Sequence, residues 1–253
     1  MNKDYICTCK CIWCGKTIPE VSFNTKPHII PKSLGCSEIG VDVCDDCNHY
    51  FGTAANGSPS IDLAFKEVFN AYKTFRNDLT PDTWKKYRSA FFSYHHRTGI
   101  IKTKHNFNVK QFTSQFKRGL FEIFLQAYHK KTLNGNDSIF DFVRDYARYG
   151  IGELKVYYAF NNILMSAQDD YYFPVNDKSV KDIYDYGVFR FWLMGHFFFL
   201  EINPIVFNLY GEHYLTTQAA KILVPVLGNE RIFKLENVMD LDFFLQRFNP
   251  ENY

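Results

Sequence analysis

Two Cys-x-x-Cys pairs, Cys11/Cys14 and Cys44/Cys47, sit near the two ends of the stretch from Cys11 to Gly52, CIWCGKTIPEVSFNTKPHIIPKSLGCSEIGVDVCDDCNHYFG. Each pair closes a tight turn that aims two thiolates at one point, and tetrahedral zinc takes four. The spacing predicts a structural zinc held by Cys11, Cys14, Cys44 and Cys47. Cys9 competes with Cys11, because Cys-x-Cys also chelates. Gly15, directly after Cys14, is the small residue a knuckle turn tolerates and favours Cys11/Cys14. Cys7, Cys9 and Cys36 then remain plain thiols. All seven cysteines precede residue 48, and Met1-Asn2-Lys3-Asp4 leads into a Cys-rich segment rather than an apolar run. Together these features predict a reducing, cytoplasmic setting with metal use in place of disulfides.

Between the knuckles lies His28, in the string Pro27-His28-Ile29-Ile30-Pro31, and Asn48 directly follows the second pair. This order of motifs resembles the HNH endonuclease family, the zinc-stapled branch of the ββα-metal fold, over residues 11–52. The resemblance implies a first strand ending at His28, a second strand, and a short helix carrying the ligand of a catalytic Mg2+ or Mn2+ ion. His28 is the expected general base, since histidine is the side chain suited to deprotonating water near neutral pH. Asn48 is the expected ion ligand, through an amide oxygen that suits magnesium. His49 is the alternative, because adjacent helix positions lie about 100° apart and both do not face one ion.

Two positions depart from the family pattern. Pro27 stands where the family has an acid that ligates the metal. No Asn lies between Thr25 and Cys47, where the family has one that orients the histidine. Asp42 is the nearest polar substitute, either holding the His28 ring or binding metal, with Glu20 and Asp46 as weaker ones.

Formal net charge is only +2, yet Trp84 to Lys131 carries eleven Lys/Arg and a single acid, Glu122. An uneven distribution of this kind predicts a polyanion partner at one face. The expected phosphate contacts are Lys85, Lys86, Arg88, Arg97, Lys102, Lys104, Lys117 and Arg118. The 26 Phe and 17 Tyr suit a well-packed globular body. Val188 to Leu200 is apolar but too short to span a bilayer, and it holds Arg190 and His196, so no membrane partner is expected.

The chain reads as α+β. A zinc-stapled finger is expected over 1–56 and a larger mixed helical and antiparallel-sheet domain over 57–253. In the finger, Glu20 to Thr25 and Val41 to Val43 read as the two strands, and Asp45 to Gly52 as the helix. Thr53 to Ser60 reads as a linker. The body divides into a helical part (60–148), a strand-rich part (150–228) and a closing helix (236–248). Ser60 or Asp62 caps a helix bearing Phe65, Val68, Phe69, Tyr72 and Phe75 on one face. A second helix is expected over Pro81 to Phe92 and a hairpin over Thr98 to Val109. Phe112, Phe116, Leu120, Ile123, Phe124 and Ala127 form a further helical stripe, with Lys117 and Arg118 outside it. Leu154 to Leu164, Val188 to Ile202 and Ile205 to Leu215 read as strands.

The expected function is a metal-dependent endonuclease that hydrolyses DNA with little sequence preference. By resemblance it would be a bacterial anti-phage or mobile-element nuclease, with a controlling partner protein or a homodimer. Its rivals are a catalytically inactive zinc module that binds nucleic acid or protein, and an RNA nuclease with the same site.

Overall fold

The computed structural model describes residues 4–54, 57–77, 87–95, 100–104, 108–160, 171–172, 175–193, 195–222 and 232–241. Its elements in chain order are α1 (Asp45–Gly52), α2 (Ile61–Asn77), β1 (Phe92–His95), β2 (Ile100–Thr103), α3 (Val109–Thr132), α4 (Asp141–Arg144), β3 (Val156–Phe160), β4 (Tyr171–Tyr172), α5 (Asp177–Tyr186), β5 (Val188–Leu193), β6 (His196–Glu201), α6 (Pro204–Ile222) and β7 (Phe233–Lys234). The fold is α+β. β1 and β2 pair as a hairpin, and the other strands form one antiparallel sheet in the order β4-β5-β6-β3-β7.

Helix α3 is the axis on which the rest packs. Asn108 caps it, its side chain accepting from Gln111 N. Its apolar stripe lies against α2, where the Phe65 and Phe116 rings stack at 5.9 Å. It also reaches the sheet, where the Phe124 and Phe189 centroids lie 4.7 Å apart. One hydrophobic core runs from the finger into this body, containing Cys11, Cys44 and Phe51 together with Phe116, Phe124 and Phe198.

The opposite, polar side of α3 is buried as well. Arg118, Glu122, Gln126 and His129 recur at helical spacing, and all four are buried. The finger covers them. Tyr50 OH accepts from Arg118 at 2.6 Å, and His129 Nε2 meets Asp42 Oδ2 at 3.0 Å. Gly40 of the finger is pressed so closely here that a Cβ on it would lie 2.3 Å from Gln126 Oε1.

Within this seam Glu122 Oε1 accepts from Gln126 Nε2 at 2.9 Å. Burial, then the Asp62 carboxylate, pushes the Glu122 carboxyl well above its ordinary range, and burial pushes Asp62 to about 6. A raised carboxyl pKa in the folded state means that the unfolded chain releases its proton first, so stability falls as pH rises from the unfolded value toward the folded one. Glu122→Gln should therefore raise the melting temperature near neutral pH. The gain should shrink below about pH 4, where both states are protonated. Melting curves across that range check it, and a gain that does not vary with pH would contradict the burial account.

Several elements differ from the sequence expectation. The finger hairpin is not built from Glu20–Thr25 and Val41–Val43. It is a single antiparallel bridge, His28 to Ile39, flanked by Ile29 N donating to Glu38 O at 3.1 Å and Gly40 N to Pro27 O at 2.8 Å. Ser22, Asn24 and Thr25 bond side chains rather than a strand partner, which is the usual behaviour of a Ser/Thr/Asn cluster. Ser60 caps α2 as expected, its Oγ accepting from Leu63 N. The helix expected over Pro81–Phe92 lies partly outside the described residues, and Phe92 begins a strand. The hairpin expected over Thr98–Val109 sits earlier, pairing Phe92–His95 with Ile100–Thr103, while Val109 opens α3.

Val188–Ile202 folds as two strands joined at Gly195. Ile205–Leu215, expected as a strand, lies within α6. Asn203 Oδ1 accepts from Ile205 N and Val206 N, and Pro204 occupies the first helical turn, where its missing N–H is harmless. Phe207, Tyr214, Leu215 and Gln218 are buried at helical spacing, while Ile205 and Leu209 are exposed. In place of the closing helix, Val238–Asp240 is a single 3-10 turn, and residues 242–248 lie outside the described residues.

Candidate functional site

Gly15 takes a left-handed φ of 70° and its N–H donates to Cys11 O at 2.9 Å, closing the first knuckle. The second knuckle is the start of α1: Cys44 is its N-cap and Cys47 lies in its first turn. The helix N-terminus favours thiolate charge there. The four sulfurs all lie within 4.8 Å of one another, with Cys14 Sγ and Cys44 Sγ 3.8 Å apart. A tetrahedron with zinc–sulfur bonds of about 2.3 Å has edges of about 3.8 Å, so the four thiols fit zinc. Among the described residues, this is the one cluster of His, Cys, Asp and Glu placed to hold a metal.

Two donors offset thiolate charge. Cys44 N reaches Cys11 Sγ at 3.4 Å, and Arg148 Nε reaches Cys47 Sγ at 3.5 Å. Arg148 is carried by a π-helical turn, Asp145–Tyr149, and its guanidinium lies 3.7 Å from the Tyr50 ring centroid. Sequence reasoning missed Arg148. No local signal marks it, because its partner lies 101 residues away.

His28 is half-buried on the hairpin bridge, while its neighbours Pro27, Ile29 and Ile30 are buried. Its Nδ1 is enclosed by protein and has no hydrogen-bond partner among the described residues.

The segment leading to His28 is tied to α1. Asp45 accepts from Ser22 Oγ at 2.5 Å, Asn24 N at 2.8 Å, Asn24 Nδ2 at 3.1 Å, and Thr25 N and Oγ1 at 2.7 Å each. Its slight burial alone would raise its pKa, but these bonds, led by Ser22 and Thr25, hold the carboxyl at about 2. Asn48, one helical turn on, donates from Nδ2 to Thr25 Oγ1 at 3.1 Å. Asn48 and the approach to His28 therefore meet at Thr25. His49 is exposed and turned toward the end of α1, its Nε2 3.2 Å from Thr53 Oγ1.

Asp42 is not available to orient His28 or bind an ion. It is fully buried, and its carboxylate accepts from the backbone N–H groups of Cys7, Thr8 and Cys9 and from the Thr8 hydroxyl. His129 completes the set. Gly135 N donates to His129 Nδ1, which leaves Nε2 as the protonated nitrogen facing Asp42. Burial opposes the Asp42 charge, but the His129, Cys7 and Thr8 bonds overcome it and hold the carboxyl at about 2. Asp42 thus anchors the N-terminal strap and the finger to α3. Glu20 and Asp46 are exposed.

The basic band divides. Arg88, Lys102 and Lys104 are exposed around β1 and β2, with Arg88 donating to Tyr87 O and Lys104 to Ser89 O. Lys85, Lys86 and Arg97 lie outside the described residues. Lys117 and Arg118 do not belong to a phosphate-binding face, because both are buried. Arg118 donates to Ala147 O, Gln115 Oε1, Tyr50 OH and Arg148 O. It clamps the finger helix, α3 and the π turn together.

Knuckle spacing, a histidine on a hairpin between the knuckles and an asparagine in the first turn of the following helix now stand in one unit. Residues 11–58 match the family model for HNH endonuclease. No curated protein and no solved structure matches the chain. The HNH region ends before α2, so α3 and the sheet form a body to which the family match does not extend.

Proposed function

We propose that this chain is a metal-dependent HNH endonuclease that hydrolyses DNA phosphodiester bonds with little sequence preference. Supporting this reading are the match to the HNH endonuclease model over residues 11–58 and the placement of His28 on a hairpin bridge tied through Thr25 to the helix that bears Asn48. His28 acts as the general base on the attacking water. Asn48 Oδ1, which has no hydrogen-bond partner among the described residues, is a hard donor that fits a hydrated Mg2+ or Mn2+. With Pro27 in place of the acid, the ion would depend on one protein oxygen, its waters and substrate phosphate oxygens. When bound, such an ion neutralises the scissile phosphate and the leaving oxygen.

Arg88, Lys102 and Lys104 offer sequence-independent phosphate contacts from β1–β2. Anti-phage defence under a controlling partner or a homodimer is the biological setting this reading favours, by family resemblance.

Pro27 and the commitment of Asp42 to His129 favour a second reading, a zinc module that binds nucleic acid without cutting it. Incubation of the purified protein with supercoiled plasmid and with single-stranded RNA, in Mg2+ or Mn2+, separates the readings. Nicked and linear plasmid is expected. Retention of intact plasmid in a gel shift, with no cleavage of either substrate, would replace the nuclease by the binding module. Cleavage confined to RNA would change the substrate class.

A further inference from the structure

The hydroxyl of Thr25 has one proton and two polar neighbours, and that fixes more than its own position. Thr25 Oγ1 lies 2.7 Å from Asp45 Oδ1 and 3.1 Å from Asn48 Nδ2. An ionised carboxylate only accepts, so the hydroxyl proton goes to Asp45. Thr25 Oγ1 can then only accept from Asn48, and Asn48 must turn an N–H toward it. The amide oxygen is left as the open atom. Reversing the amide would set Oδ1 against an oxygen with no proton to give.

We propose that Asp45 and Thr25 are positioning residues: a relay that sets the polarity of the Asn48 amide and presents its oxygen as the protein ligand of the divalent ion. The inference rests on the proposed role of Asn48 in the HNH site. The relay is preorganised, because Ser22 and Asn24 also bond Asp45 and hold it against the loop. It assigns a task to Asp45 within the Cys44-Asp45-Asp46-Cys47 knuckle, where an acid at the helix start would otherwise read only as a favourable charge at the N-terminus.

The test is Mn2+ titration of the zinc-loaded full chain, with a DNA duplex present, read by the electron paramagnetic resonance signal of free aqueous Mn2+. Zinc content and melting temperature are measured alongside. Thr25→Val keeps the shape and the backbone N–H to Asp45 but removes the acceptor. It should weaken Mn2+ binding about tenfold, the lower end of the usual loss when a partner behind a metal ligand is removed. Thr25→Ser should restore wild-type affinity. Asp45→Asn, the second variant, should weaken binding in the same direction. Combining Thr25→Val with Asn48→Ala should add little to Asn48→Ala alone, as expected for groups acting through one atom. If Asn48→Ala weakens Mn2+ binding while Thr25→Val and Asp45→Asn do not, the relay is wrong and Asn48 remains the ligand. If Thr25→Val loses zinc or melts early and Asp45→Asn binds Mn2+ normally, Thr25 is merely structural and the relay falls. If Asn48→Ala changes nothing, or the wild type binds no Mn2+, the HNH-site reading fails and the relay with it.

Discussion

Cys44→Ser should yield a chain that fails to fold in the body as well as in the finger. Cys44 is fully buried and belongs to the same core as Phe116 and Phe124 of α3. Structural zinc contributes roughly 10–16 kcal/mol of apparent binding free energy that is also folding free energy. A typical domain has only about 5–15 kcal/mol of net stability. Losing one ligand releases the ion, and with the finger go the Tyr50 bond to Arg118 and the Asp42 bond to His129 that fasten it to α3. Wild-type protein should carry about one zinc per chain and keep it through dialysis against EDTA. The variant should be zinc-free by atomic absorption and lack the near-ultraviolet circular dichroism of packed aromatic rings. A zinc-free variant that stays soluble and unfolds cooperatively would show that the metal does not hold this core together.

His28→Ala should reduce cleavage by two to four orders of magnitude, the usual contribution of a general base, and leave the fold intact. His28 is only half-buried, and its Nδ1 has no hydrogen-bond partner among the described residues. Truncating it therefore breaks no hydrogen bond at that nitrogen, and the hairpin contacts beside it are backbone bonds from Ile29 and Gly40. Zinc content, melting temperature and DNA affinity should match the wild type. A variant with a lowered melting temperature and proportionally lowered activity would instead make His28 a packing residue.

What could be read in the sequence is what is local. Zinc ligands recur within three residues in each knuckle, and the Gly15 turn follows from the left-handed conformation that glycine favours. The α+β class, the Ser60 cap and the α3 stripe follow from periodicity and capping rules. α6 was not legible: Asn203-Pro204 starts a helix, but the aromatic and β-branched run behind it reads as a strand.

The attachment of the finger was not legible. Arg118 and Tyr50 are 68 residues apart, and Asp42 and His129 are 87 apart. Cations and acids on a helix are solvent-facing by default, so Lys117 and Arg118 read as surface until the covering element is known. Asp42 failed as a substitute for the missing acid for the same reason: its partners come from the N-terminal strap and from α3. The Asp45–Thr25–Asn48 network was hidden because Ser22 to Thr25 alternates like a strand but uses its hydroxyls and amides to bond a helix terminus.

A zinc-stapled HNH site that cuts DNA with His28 as base needs a second, exchangeable ion beside the structural zinc. Single-turnover cleavage of an end-labelled duplex tests it most directly, using wild type and His28→Ala, each dialysed against EDTA, assayed for retained zinc, and then supplied with Mg2+ or left without it. Cleavage by the wild type is expected only after Mg2+ is restored, with a rate lower by about two to four orders of magnitude for His28→Ala at equal zinc content. Equal rates for the two proteins, or cleavage by zinc-loaded wild type in EDTA, would contradict it.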